Sequence, residues 1–384
     1  MITRRLFAAL LAASATSLSS AAVATPSRPN KAERRTTPSP HKRSAPRRQP
    51  PSAAAPAHGG PTGGYAQRPE VLAWAQEQLA GALAGWQLED VLTVLAQAQY
   101  QPRVAQLILP PPVGVAKDWA AYRDRFIEPR RLQAGLRFWA ANEEALARAE
   151  QLLGVPAALI TGIIGVETFY GQVLGSFRAL DALCTLGFDF PGGRSDRSPL
   201  FRRELAALLQ LARAQGREPA DFKGSFAGAL GLGQFLPSSW LSYARDFDGD
   251  GVIDLTASSA DAIGSVANYL QEHGWKRGQI THLRCEPPVD AAARERLLAP
   301  DIDPRWSLDD LQNAGLPLPT EQQALLSQHG PWALVQLENG EQPASYWLTS
   351  HNFWVVTRYN RSAYYAMAVL ELGERLRQLR LAGT

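Results

Sequence analysis

One acid closes a long uncharged stretch of this 384-residue chain. Pro156-Ala-Ala-Leu-Ile-Thr-Gly-Ile-Ile-Gly-Val-Glu-Thr-Phe-Tyr-Gly runs apolar and small for eleven residues before it meets Glu167. A carboxyl group in that position is partly withdrawn from water. Desolvation disfavours its charged form, raises its pKa and keeps a proton available near neutrality, as a general acid requires. A Glu bonded to a backbone amide satisfies the same text, and the local residues leave both readings open. Gly162 and Gly165 lower helix stability here, which implies close packing or the approach of a ligand on that face.

Two further patterns carry chemistry. Asp221-Phe-Lys-Gly-Ser-Phe-Ala-Gly-Ala-Leu-Gly-Leu-Gly-Gln-Phe-Leu-Pro-Ser-Ser-Trp240 holds four glycines and one acid. It sets Ser225 and Gln234 among small residues that let a ligand approach the backbone closely. Asp246-Phe-Asp248-Gly-Asp250-Gly-Val252-Ile-Asp254 matches the first nine positions of a calcium loop, with alternate acids aimed at one centre and the Val252 carbonyl as a further ligand. Ala257 stands where the closing acid is usual, so Asp261 is expected to close an enlarged loop. The expected ligands are Asp246, Asp248, Asp250, Val252 and Asp261, around a structural calcium ion. A charged Asp-Gly turn without metal is the alternative. The six histidines show no metal-binding spacing and no Ser-His-Asp order.

These groups must be held by a backbone whose dominant signal beyond residue 69 is helical. Apolar residues recur at helical spacing over residues 69–82, 88–99, 136–153, 200–214, 258–272 and 363–379. Pro129 and Pro156 sit where they can open helices, and His273-Gly274 suits a helix end. Strand-like text gathers in the last third, where 332–337 and 345–349 flank Glu338-Asn339-Gly340 and read as a hairpin with an Asn-Gly turn. The expected fold class is mainly α with a small β part.

Val166-Glu167-Thr168, Gly171, the glycine-rich segment, Asp261-Ala-Ile-Gly-Ser-Val-Ala-Asn-Tyr269 and Arg358-Tyr-Asn-Arg-Ser362 follow one another in an order and spacing that closely resemble the soluble lytic transglycosylase B family of bacterial cell-wall enzymes, glycoside hydrolase family 103. The resemblance spans roughly residues 70–380. It implies a lysozyme-like core with an extra helical lobe and a small β lobe. It also implies cleavage of the β-1,4 bond between N-acetylmuramic acid and N-acetylglucosamine in peptidoglycan, without addition of water. Glu167 matches the family's single catalytic acid. Ser225 and Gln234 match positions that orient substrate, and Phe235 follows the Gln as the family pattern has it. Tyr122, Tyr269, Tyr359, Asn360 and Tyr365 match cleft residues, although Tyr364-Tyr365 reads equally as core when the family is set aside. The extended calcium loop is a family feature, here one residue longer. One departure stands out. Where the family carries two arginines after an aromatic-Pro step, this chain has Phe190-Pro-Gly192-Gly193, and Arg194 or Arg197 is expected to serve the substrate's peptide side instead.

A standard glycosidase needs two carboxylates. The motif regions supply hydroxyls, amides and rings, with Asp181 and Asp189 the nearest acids in sequence after Glu167. A one-carboxylate reaction that forms 1,6-anhydro ends fits that shortage. A non-catalytic peptidoglycan-binding protein and a hydrolytic muramidase are the competing readings.

The amino terminus carries a different message. Residues 1–24 combine Arg4-Arg5, a short apolar stretch and Ala22-Val-Ala24, the marks of a cleavable export signal, with an uncleaved anchor as the alternative. Cys184 and Cys285 are the two cysteines, so none follows the apolar stretch and a lipid-modified terminus is not expected. Residues 25–68 hold nine of the 28 prolines and a charge of +8, which reads as a disordered tether. The tether is either a solvated linker or a weak adhesive for anionic lipid or cell wall. The folded region, 69–384, then carries −7 of a total of +3, the signal adding +2, and nothing in that balance calls for a nucleic-acid partner. Within it the helical lobe is expected over about 69–155 and the core over about 156–280 plus 350–380. The β lobe is expected over about 281–349. The protein is expected in the periplasm, as a monomer on peptidoglycan glycan strands. In an exported protein the two cysteines are either bridged or two separate thiols.

Overall fold

A computed structural model describes residues 64–110, 116–193 and 195–383 of the chain. The expected export signal, the tether up to residue 63 and Arg194 lie outside the described residues.

The helices begin where the local text favours it. α1 (Pro69–Leu79), α3 (Pro102–Leu107) and α5 (Pro129–Ala141) open on proline, which lacks the amide that a first helical residue leaves unpaired anyway. α2 (Leu88–Ala96) and α4 (Trp119–Arg123) complete the first group, with Asp118 capping α4 by accepting from the Ala121 amide. α6 (Glu143–Leu153) ends on Gly154 in the left-handed region, and α7 (Ala157–Thr168) follows. α8 (Ala179–Phe188), α9 (Ser198–Ala214), α10 (Pro237–Tyr243) and α11 (Ser259–Glu272) come next. After α12 (Ala291–Leu298), α13 (Leu308–Asn313) and α14 (Thr320–His329), the chain closes on α15 (His351–Tyr359) and α16 (Ala363–Ala382).

α7 is apolar on every face, and eleven of its twelve residues are buried, as a helix without a polar side must be. It packs against α16 at glycine: a Cβ on Gly162 would collide with the Val369 carbonyl oxygen, and one on Gly373 with that of Ala158. Gly165 instead makes room for the Tyr170 ring. Close packing is therefore the structural reason for both glycines of the catalytic-motif helix.

One hydrophobic interior runs from Tyr65 through α7 and α11 to Leu376 without a division at residue 155. A second, smaller one gathers Leu297, Leu311, Leu316, Leu326, Trp332, Leu334 and Leu348 around a three-stranded antiparallel sheet. That sheet has the order β3-β5-β4, from β3 (His282–Cys285), β4 (Ala333–Asn339) and β5 (Gln342–Thr349). A two-residue pair, β1 (Phe177–Arg178) with β2 (Lys223–Gly224), makes the other sheet.

Three expectations need correction. Residues 136–153 are two helices, because Asn142 leaves the helical region (φ −125°, ψ 25°) and its side-chain amide donates to the Phe138 carbonyl at 2.8 Å. The Phe138 carbonyl accepts the Asn142 backbone amide as well, at 3.1 Å, so the first helix closes on this residue. The hairpin turns one residue later than Asn339-Gly340: Asn339 pairs with Gln342, and Gly340 takes the positive φ of 62°. Residues 65–68, expected in the tether, belong to the folded part. Tyr65 is buried and donates to Asp189 at 2.6 Å, and Arg68 grips the same carboxylate at 2.9 Å. Of the two readings left open for Cys184 and Cys285, the structure has two separate free thiols.

Candidate active site

Glu167 lies in the last turn of α7, 8% exposed. Its Oε1 accepts a hydrogen bond from the Tyr365 hydroxyl at 2.6 Å. Tyr365 is itself fully buried in the first turn of α16, where the Ser362 hydroxyl accepts from its amide and caps the helix. Burial pushes the Glu167 carboxyl up to about 7, and the Tyr365 bond, which favours the ionised form, pulls the other way. The result is an acid that holds its proton near neutrality yet can release and retake it.

The helix stops abruptly beyond this carboxyl. Phe169 (φ 53°) and Tyr170 (φ 57°) are consecutive non-glycine residues in the left-handed region, a strained arrangement that concentrates at functional sites. Thr168 ties this end to the glycine-rich segment, its hydroxyl donating to the Leu232 carbonyl at 2.9 Å and accepting from the Gly171 amide at 3.1 Å.

That segment folds back on itself. Leu230 and Phe235 exchange backbone hydrogen bonds at 2.8 and 2.9 Å, which leaves Gly231 to Gln234 as a tight turn with Gln234 at φ 52°. The Gln234 amide group donates to the Gly231 carbonyl at 2.9 Å, while its Oε1 is buried with no partner. A buried acceptor without a donor is uncommon in folded proteins and asks for a ligand N–H or O–H. Ser225 is held similarly: its Oγ accepts from the Ala229 amide at 3.0 Å and the Ala227 amide at 3.3 Å, leaving its own proton to donate.

Phe235 packs against Tyr269 and Tyr359, with ring centroids 5.7 and 5.9 Å away. Both tyrosine hydroxyls are engaged by backbone: Tyr269 donates to the Arg358 carbonyl at 2.7 Å and Tyr359 to the Gly233 carbonyl at 2.6 Å. Burial raises both phenols further from ionisation. They therefore offer ring surface and structural support, and no proton chemistry.

Eight of the expected residues, Glu167, Arg197, Ser225, Gln234, Phe235, Tyr269, Tyr359 and Asn360, line one cleft of about 290 Å³. Two expected cleft residues sit elsewhere. Tyr365 lies behind Glu167, as its hydrogen-bond partner, since α16 is packed flush against α7. Tyr122 stacks among Phe126, Trp119 and Tyr364, close enough for the Glu167 charge to act on its phenol, but outside the lining. Arg358, Arg361 and Ser239 also line the cleft; all three lie inside the sequence motifs, where no role was expected of them. Glu167 is the one carboxylate in the lining. Asp181 is occupied by the Gln99 amide at 3.0 Å and by Arg178 at 3.6 Å, and Asp189 by Tyr65 and Arg68.

A larger cavity, about 590 Å³, opens beside the sheet between Arg284, Cys285 and Glu286 on one side and Pro317 to Pro319 and Gln322 on the other. It holds no buried acid or base, so size is a poorer guide here than the convergence of polar groups at Glu167.

The acidic loop brings oxygens of Asp246, Asp248 and Asp250 within 4.8 Å of one another, all exposed. Hard carboxylate oxygens in that grouping suit a hard cation such as calcium. Asp261 is not in the group. It is buried, and its two oxygens brace the loop backbone, accepting from the Phe247 amide at 2.7 Å and the Asp254 amide at 2.8 Å. The Val252 amide donates to Asp250 at 2.8 Å. The donor set thus fits a cation in part, with Asp261 as the loop's support.

Comparison with known proteins places this arrangement. The chain is 42% identical over 298 residues to the membrane-bound lytic murein transglycosylase B of Escherichia coli K12, covering 76% of this chain and 78% of that one. Its fold matches the soluble lytic transglycosylase SltB1 of Pseudomonas aeruginosa with a TM-score of 0.71 and 39% identity, over 81% of this chain and 99% of that one. A lytic transglycosylase of Escherichia coli solved in complex with calcium matches with a TM-score of 0.70 and 38% identity, over 83% and 96% of the two chains. The fold is the lysozyme-like fold of these enzymes. Residues 71–374, which carry Glu167 and every other group of the cleft, match the transglycosylase SLT domain, and the chain belongs to that family.

Proposed function

We infer that this protein is a lytic transglycosylase that cleaves the β-1,4 bond between N-acetylmuramic acid and N-acetylglucosamine in peptidoglycan and leaves 1,6-anhydro ends. One observation carries the reading: a single, buried, hydrogen-bonded carboxyl in a cleft whose lining holds no second acid.

Glu167, protonated, gives its proton to the glycosidic oxygen as that bond breaks. The carbonyl oxygen of the sugar's own N-acetyl group supplies the electrons that a second carboxylate would supply elsewhere. Glu167, now ionised and held by Tyr365, takes the proton of the 6-hydroxyl, whose oxygen closes on C1 and displaces the N-acetyl oxygen, restoring the N-acetyl group. The carboxyl ends the cycle protonated. A pKa of about 7 suits both transfers, since neither direction is strongly uphill near neutrality. The buried Gln234 Oε1 and the Ser225 hydroxyl orient the sugars, and the Phe235, Tyr269 and Tyr359 rings form a wall beneath them. Asn360 and Arg197 complete the lining, and Arg197 is the cation that serves the carboxylate-bearing peptide side.

Asp246, Asp248 and Asp250 hold a structural calcium ion, which neutralises their mutual repulsion and has no part in the chemistry. Export to the periplasm through residues 1–24 brings the enzyme to its substrate, with the basic residues of the tether near anionic lipid or wall.

The test is digestion of purified sacculi by the wild type and by Glu167→Gln. Release of soluble muropeptides by the wild type and a loss of at least about a thousandfold in the variant are expected. Substantial activity in the variant contradicts the role of Glu167, and no release by either makes the protein a binder.

A further inference from the structure

A guanidinium to which no sequence pattern points lies against the end of α7. Arg131, on the neighbouring helix α5, is 8% exposed and donates from Nη1 to the Gly165 carbonyl, two residues before Glu167. Its guanidinium lies over the Phe169 ring at 4.4 Å and over the Phe126 ring at 5.4 Å. Its Nε has no hydrogen-bond partner, and among the described residues no carboxylate stands within ion-pair distance of it.

A cation removed from water without a counter-charge is unfavourable, and an apolar side chain of similar volume is the easier occupant of such a place. What Arg131 touches accounts for its presence. Gly165 belongs to the last turn of α7, at the negative end of the helix dipole, and its carbonyl, which accepts from the Phe169 amide at 3.2 Å, takes the guanidinium as a second donor. Phe169 is the first of the two residues forced into the left-handed region immediately after Glu167-Thr168. One planar group thus grips the helix end from both sides, by a hydrogen bond to its backbone and by a stack on the ring that follows.

We propose that Arg131 is a positioning residue for the catalytic carboxyl: it clamps the Gly165 carbonyl and the Phe169 ring, holds the two-residue left-handed turn that ends α7, and so fixes Glu167 against Tyr365. The proposal rests on Glu167 being the acid, and the experiment separates the two claims.

The variants are Arg131→Met, Arg131→Lys and Glu167→Gln, with Arg148→Met as a matched control. Arg148 is another guanidinium stacked on a ring, Phe247 at 4.1 Å, with an unpartnered Nε, but it lies away from the cleft. The thermal midpoint, kcat and KM on soluble glycan strands are measured well below every midpoint. Arg131→Met loses about 10- to 100-fold in kcat with KM within about twofold, the mark of misplaced reacting groups. Arg131→Lys, which keeps the charge but not the planar stack, falls between, and Arg148→Met keeps the wild-type kcat. A folded Arg131→Met with wild-type kcat overturns the proposal. Should that variant not fold, wild-type kcat in Arg131→Lys overturns it and an intermediate kcat supports it. Activity in Glu167→Gln overturns the assignment of the acid itself, whatever the Arg131 variants do.

Discussion

A buried acid tuned for proton transfer destabilises the fold that holds it, and Glu167→Gln exposes how much. The ordinary glutamate value is 4.5, and burial lifts Glu167 to about 7. Between those values the native state keeps a proton that the unfolded chain has lost, so the folded state is favoured most at low pH. This contribution is present in full below about 4.5 and disappears as pH rises through about 7. At 1.36 kcal/mol for each pKa unit, the shift corresponds to roughly 3 kcal/mol. Gln cannot ionise, and its carbonyl oxygen can still accept from Tyr365. Any fixed offset from its amide group is independent of pH. Urea unfolding of both proteins from pH 4.5 to pH 8 therefore reads the difference directly. The stability of Glu167→Gln relative to the wild type should rise by about 2–3 kcal/mol across that range. A difference that stays flat with pH means that Glu167 is not raised by burial, and the general-acid role then loses its physical basis.

Three other outcomes follow from the same geometry. Tyr365→Phe removes the bond that favours ionised Glu167, so the high-pH limb of kcat/KM should move up by about one unit and kcat should fall. A limb that stays or moves down contradicts the assignment. Calcium at about a hundred times its dissociation constant should stabilise the protein by about 2.7 kcal/mol against chelator in a thermal melt. Joint replacement of Asp246 and Asp250 by Asn should abolish that gain. Gly162→Ala places a methyl group against the Val369 carbonyl and should cost about 1–3 kcal/mol in urea unfolding, while the same change at exposed Gly192 leaves stability unchanged.

What the sequence revealed and what it hid divide along physical lines. The burial of Glu167 was legible because an acid at the end of an unbroken apolar run has few ways to stay hydrated, while its reading as the acid came from the family resemblance. Ser225 and Gln234 were legible because glycines crowd around them, and the helices 88–96 and 198–214 because one apolar face repeats. The break at Asn142 was not, since apolar residues continue on both sides of it and what marks it is one residue's departure from helical backbone angles. Asp261 was assigned to the metal on spacing alone, but spacing does not say whether a carboxylate turns towards a cation or towards the backbone amides of its own loop. Tyr65 and Arg68 were hidden in proline-rich text because their partner, Asp189, is more than a hundred residues away. Arg131 was invisible for a similar reason: its partners are a carbonyl and two rings, none of which leaves a pattern beside it.

The central claim is that the 6-hydroxyl, and not water, takes the place of the leaving sugar. Digestion of sacculi in ¹⁸O-labelled water, followed by mass spectrometry of the muropeptides, tests it most directly. The account predicts N-acetylmuramic acid ends that are one water lighter than reducing ends and carry no label. Reducing ends carrying ¹⁸O would show that water attacks, and that Glu167 serves a hydrolase.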